Sequence, residues 1–163
     1  MIVVSDTSPL SNLAIVGCLS ILQQIYNKVI IPQGVAEELI NASDEEHIIA
    51  GVLSLDWIEV IPATNLELIS ELRNNSNLDR GEAEAIALAI ELNADELLID
   101  ERLGRREATR LGLPITGVLG ILLVAKHRQL MPAVQPVMDA LITQAGFRVS
   151  SQLYAEILKA ANE

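Results

Sequence analysis

From Ile2 to Thr116 the chain alternates short β-branched runs with helical stretches, and this alternation constrains the fold more than any other feature. Met1 to Ser5, Val29 to Ile31, Trp57 to Ile61, Leu97 to Ile99 and Pro114 to Thr116 each read as a strand. The segments between them are long enough to hold helices, far longer than a hairpin requires. Strands joined in this way run parallel through right-handed crossovers, in one sheet with helices against it. The expected class is therefore α/β.

Punctuation residues divide the chain further. Ser8-Pro9 predicts an N-cap followed by proline at the first helical position, and Gly17 closes that helix. A second helix is expected over Leu19 to Tyr26, and Pro32 opens a third. Ser43 with Glu46 forms a capping-box pattern for a helix running to about Leu55. Leu66 to Arg73, Ala83 to Leu92, Leu103 to Leu111 and Val118 to Arg128 complete the helical stretches, with a polar turn over Asn74 to Asn77. Beyond Met131 the pattern is wholly helical: Val134 to Ala145, a break at Gly146, then Ser151 to Ala161. We read residues 1–130 as a core and 131–163 as a helical extension packed on the same domain.

Four acids stand out because each follows a strand or opens a helix within an apolar or small-residue stretch: Asp6, Glu38, Glu82 and Asp100. In a parallel sheet all four can converge on the carboxyl edge, where open α/β sheets bind ligands. At an effective dielectric of about 20, two carboxylates roughly 4 Å apart repel by about 4 kcal/mol. Such a cluster calls for a cation, and hard divalent ions such as Mg2+ or Mn2+ prefer oxygen ligands. Each acid also has a structural alternative. Asp6 can cap a helix, Glu38 can be a solvated helix face, Asp100 can serve in a turn, and Glu82 can pair with Asp79 at the helix start. Glu101 can substitute for Asp100. An aspartate after the first strand also occurs in phosphotransferases that need a second aspartate two residues on, but Ser8 occupies that position.

Half of the 163 residues are apolar, which suits one domain with a sizeable core. Apolar runs such as Val118 to Ala125 are too short to span a bilayer, and the amino terminus has no basic leader segment. The chain therefore reads as cytoplasmic, without a membrane partner, and its single cysteine, Cys18, as a buried apolar residue. A net charge of −11 opposes broad attraction to nucleic acid, yet five of the eleven basic residues lie between Arg80 and Arg110. Arg102, Arg106 and Arg110 share one helix face, with Arg105 adjacent. That stripe can track a phosphate backbone, or it can be a solvated face paired with Glu101 and Glu107. Tyr26, Trp57, Phe147 and Tyr154 are too few and too scattered to form a base-stacking platform.

Taken together, Asp6-Thr7-Ser8-Pro9-Leu10, Pro32 to Leu39, Leu78 to Ala87 and Leu98-Ile99-Asp100-Glu101 resemble the PIN domain. This family of metal-dependent ribonucleases includes VapC-like prokaryotic toxins. The resemblance covers about Ile2 to Ala125 and implies a three-layer fold with strand order 3-2-1-4-5 and an acidic pocket at the carboxyl edge. It matches Asp6, Glu38, Glu82 and Asp100 to the family's four acidic positions. The chain departs in having glutamate before the alanine-rich helix, and Asp100-Glu101 where many toxins carry a threonine followed closely by aspartate.

The expected site has Asp6, Glu82 and Asp100 as metal ligands. Glu38 stands at the edge, as a water-mediated ligand or base. Ser8, Arg102, Arg105 and Arg106 are the expected substrate contacts. RNA is the implied substrate, a small antitoxin protein the implied partner, and the apolar terminal helices can serve a homodimer. The rival expectation is a PIN-like interaction module with little or no nuclease activity.

Overall fold

A computed structural model describes residues 1–42, 49 and 51–163. Its five strands are short because only their central residues pair: β1 Val3–Ser5, β2 Val29–Ile31, β3 Ile58–Val60, β4 Glu96–Leu98 and β5 Ile115–Thr116. They form one parallel sheet of order β3-β2-β1-β4-β5. The central strands β1 and β2 are buried along their whole length, as a parallel sheet covered on both faces requires. The edge strand β3 is partly open to solvent.

Successive strand residues point to opposite faces, and both faces are apolar. Val3, Val29, Ile31 and Leu98 join one buried cluster; Val4, Ile30, Leu97 and Ile99 join the other. The first cluster is completed by α1 Thr7–Ile15, α2 Ser20–Tyr26 and α3 Gln33–Asn41, and the second by α4 Leu66–Asn75, α5 Arg80–Glu91 and α6 Arg102–Arg110. Helices α7 Val118–His127, α8 Gln135–Gln144 and α9 Ser151–Ala160 return to the first face. Met138, Leu141 and Ile157 bury there beside Leu10 and Leu22, so the carboxyl-terminal helices share the main core. The Glu163 carboxylate secures them, accepting the Val134 N–H at 2.7 Å and the Gln135 N–H at 3.1 Å, with Lys126 Nζ at 3.2 Å.

Two local expectations need correction, and a third is untested. Helix α1 starts at Thr7, so Asp6 occupies the N-cap position and Pro9 falls third in the helix. The extended Asp6 backbone (φ −77°, ψ 174°) passes straight from strand to helix, and proline is tolerated in a first turn whose N–H groups have no helical partner. Cys18 is only partly buried, although burial still pushes its thiol up. The Ser43 and Glu46 pair lies outside the described residues, while Gly51–Ser54 is a short 3-10 turn. Among the described residues, no helix is long and apolar enough to cross a membrane.

Candidate active site

Residues Ser5 and Leu98 are partners in the β1–β4 register, and the Asp6 N–H donates to the Leu98 carbonyl at 2.9 Å. From β1 the chain builds outward to β2 and β3 on one side, with β4 and β5 on the other. The connections therefore diverge above the β1–β4 pair, and a crevice opens at the carboxyl edge. Asp6 follows β1 and Asp100 follows β4, so they stand on opposite sides of that switch point.

Asp6 is 3% exposed, makes no side-chain capping bond, and has no ion pair among the described residues. Burial, reinforced by the charges of Glu82, Asp79 and Glu38, pushes its carboxyl up to about 8 despite the opposing Thr7 N–H. Glu38, in the second turn of α3, accepts the Thr7 hydroxyl at 2.7 Å. Burial raises its pKa while that hydroxyl and the Gly81 N–H oppose the shift. A Cβ on Gly81 would run into Glu38 Oε1, so glycine here leaves room for the Glu38 carboxylate.

Glu82 serves the structural role weighed against its metal role. Its carboxylate accepts the Asp79 N–H at 3.2 Å while the Glu82 N–H donates to Asp79 Oδ1 at 2.8 Å, a complete capping box. It is nonetheless 9% exposed, and burial with the charges of Asp79, Glu101 and Glu38 pushes it up to about 7. Asp100 accepts the Val118 N–H at 3.0 Å and so engages the start of α7. Burial raises its pKa, with Val118 and Arg105 pulling the other way. Glu82 and Glu38 thus raise the proton affinity of Asp6, and Glu38 that of Glu82, whereas the charge that raises Asp100 is Glu101; Glu38, Glu82 and Asp100 each rest on a local donor.

A cleft of about 900 Å3 opens over this region, lined in part by Thr7, Ser8, Glu38, Asp100 and Arg102. Asp6 and Glu82 are buried and do not line it, although Thr7 and Ser8, which follow Asp6 in the chain, do. Arg105 lines an adjoining cavity of about 490 Å3 and donates to the Ile99 carbonyl at 2.9 Å. The arginine stripe splits. Arg102 reaches the cleft, whereas Arg110 and Arg106 lie 2.7 and 3.7 Å from the buried Glu107 and line neither cavity.

A family model described as DUF3368: PIN domain matches residues 2–163. The chain belongs to the PIN-domain family. The match takes in the carboxyl-terminal helices as well as the sheet, and the strand order is that of a PIN-like fold. Comparison with curated proteins gives no match. PIN domains form a superfamily of nucleic-acid nucleases, and they generally work with divalent metal ions.

Does this PIN domain suit such an ion? Its donors are hard carboxylate oxygens whose mutual repulsion a dication would relieve. Among the described residues, however, no three His, Cys, Asp or Glu side chains are drawn up tightly enough to hold a metal. Asp6, Glu82 and Asp100 are thus not a closed cage, because Glu82 is turned to Asp79 and Asp100 to Val118. This arrangement suits a cation that keeps most of its water and takes one or two protein carboxylates directly, which is how magnesium usually binds.

The lining residues absent from the sequence-derived set include Thr7, Phe147 and Arg148. Adjacency to Asp6 could have flagged Thr7. Nothing local flags the other two. Gly117 is also informative, since an added Cβ would lie 2.6 Å from Asp100 Oδ1 and 2.9 Å from Arg105 Nη1. Its backbone (φ −95°) suits any residue, so Gly117→Ala acts through those side chains. Any nuclease activity of this site should fall about 10- to 100-fold through misplacement of Asp100, while the melting temperature stays within about 4 °C of wild type. Paired kinetic and calorimetric measurements check this. Unchanged cleavage would remove Asp100 from the site.

Proposed function

We propose that this PIN domain is a metal-dependent endoribonuclease that hydrolyses RNA phosphodiester bonds, acting as the toxin of a toxin–antitoxin pair. The observation that carries the reading is Asp6, a buried carboxyl without an ion-pair partner among the described residues, set among Glu38, Asp79 and Glu82 beneath an open cleft. In this reading residues 1–130 form the nuclease core and 131–163 an extension packed on it. A small antitoxin occludes the cleft in the resting pair.

Asp6, Glu82 and Asp100 would hold magnesium or manganese, with Asp6 as the anchor. Bound there, the ion would supply a water of lowered pKa and stabilise charge developing on the phosphate. Glu38 would act at the edge, as a water-mediated ligand or as the base that accepts the proton of the attacking water. Burial raises the proton affinity of Glu38, which makes it a better base, and the Thr7 hydroxyl holds its carboxylate. The Ser8 hydroxyl and Arg102 guanidinium face the cleft that the phosphate enters, and Arg105 neighbours Asp100.

Incubation with single-stranded RNA should give cleavage that requires magnesium or manganese and stops on chelation. Metal should also raise the melting temperature, and more at about pH 8.5 than at about pH 6, because binding must displace protons. The window follows from carboxyls that release their protons near 7 and 8. The absence of a closed ligand cage among the described residues favours the rival reading, an interaction module with little nuclease activity. Neither cleavage nor metal-dependent stabilisation at the higher pH would decide for that rival.

A further inference from the structure

One wall of the cleft comes from the far end of the chain. The loop between α8 and α9 brings Phe147 and Arg148 into the lining of both the main cleft and the adjoining cavity. The two spaces share Asp100, Phe147 and Arg148, so they meet beside the acidic site. An extended strand can lie across this junction, with nucleotides on either side of the reacting phosphate.

The loop is held in place by the protein itself. Gly146 takes a left-handed φ of +67°, and the Phe147 N–H donates to the Leu141 carbonyl at 3.0 Å. Ser150 then caps α9 through the Leu153 N–H at 3.1 Å. Phe147 is partly buried against the main core and also lines the cleft. The other aromatics are engaged elsewhere: Tyr26 and Trp57 are buried in the core, and the Tyr154 hydroxyl donates to Asp139 at 2.6 Å.

Charge argues in the same direction. In a chain of net charge −11, a polyanion is held only where cations are free. Arg148 is exposed and has no ion-pair partner among the described residues; Arg102, across the same cleft, is likewise free. An aromatic face beside a free guanidinium suits an unstacked base and its neighbouring phosphate. Bases in a duplex are already stacked and leave such a ring unused.

We propose that Phe147 and Arg148 form a positioning clamp for single-stranded RNA, the ring stacking on a base beside the scissile phosphate and the guanidinium holding a flanking phosphate opposite Arg102. This rests on the nuclease reading and assigns a substrate-selecting role to the carboxyl-terminal helices.

The test uses the full chain and a labelled single-stranded RNA oligonucleotide with manganese. Phe147→Leu should raise KM about tenfold with kcat little changed, and Phe147→Trp should restore it. Arg148→Ala should lower the slope of log KM against log salt by about 0.7, the contribution of one phosphate on a single strand. Melting temperatures monitor folding in each variant. On a duplex of the same sequence, Phe147→Leu should have no effect on KM. If wild type cleaves while the Phe147→Leu and Arg148→Ala proteins keep its KM and salt slope, the clamp is refuted and the nuclease stands. If wild type cleaves nothing, the nuclease reading fails, and RNA binding to the Asp6→Asn protein decides the clamp separately. Weaker binding on adding Phe147→Leu or Arg148→Ala would support it, and unchanged binding would overturn it.

Discussion

Replacing Asp6 by asparagine will move activity and stability in opposite directions. Metal-dependent RNA cleavage should fall by about 10³-fold or more, because the variant loses the carboxylate that anchors the ion and the charge it brings to the phosphate. Stability without metal should rise. Asp6 has an ordinary value of 3.8 and is pushed up to about 8 in the folded protein. A carboxyl raised in this way contributes stability that is whole below 3.8 and is lost as pH climbs through about 8. Above that range the folded chain carries a buried negative charge beside Glu82, Asp79 and Glu38, whereas asparagine stays neutral throughout. In chelator, the Asp6→Asn protein should therefore melt above wild type at about pH 8.5, with the gap closing toward about pH 5. Calorimetry at the two pH values measures this directly. A lower melting temperature at both would mean that Asp6 is there to hold the fold, and the functional reading would lose its anchor.

Leu10→Ala should be the most damaging core substitution near the site. Leu10 lies in α1 one turn beyond Asp6, is fully buried, and packs in the cluster that joins the sheet to α3, α7 and α8. Removing its isobutyl group loses apolar burial and leaves a cavity in this cluster, a loss of about 2–5 kcal/mol. That is a large share of the ~5–15 kcal/mol that separates folded from unfolded domains of this size. Urea titration should show a lower midpoint with an unchanged slope. Activity per folded molecule should fall far less than in the Asp6 variant, which separates the scaffold from the chemistry.

Much of the fold is legible in the sequence because local and global preferences agree. Val3-Val4-Ser5 and Val29-Ile30-Ile31 are apolar on both faces, and only a central parallel strand needs that. The Asp79 and Glu82 capping box is likewise visible as a spacing of three residues before an alanine-rich helix. The errors arise where two local signals compete. Ser8-Pro9 is a strong helix-start pattern, yet the extended Asp6 begins α1 earlier, since proline fits anywhere in a first turn.

The site is less legible because its walls are tertiary. Asp6 and Asp100 can be anticipated from their positions after strands, since a parallel sheet brings strand ends together. Helical spacing groups Arg102, Arg106 and Arg110 and offers Glu107 as a partner, but it does not reveal that Glu107 takes up the latter two while Arg102 reaches the cleft. Phe147 and Arg148 carry no local mark of their location, which depends on how α8 packs across α1 and where Gly146 turns the chain. Nor does sequence separate the two roles of Glu82, which caps a helix and faces Asp6 at once.

The central claim, that acids from distant stretches share one divalent ion, is tested most directly by anomalous scattering from crystals soaked in manganese. The account predicts a single strong peak at the carboxyl edge of the sheet, in direct contact with Asp6 and within reach of Glu82 or Asp100 through water, absent in Asp6→Asn crystals. Manganese bound elsewhere on the acidic surface, with no peak at Asp6, would contradict it.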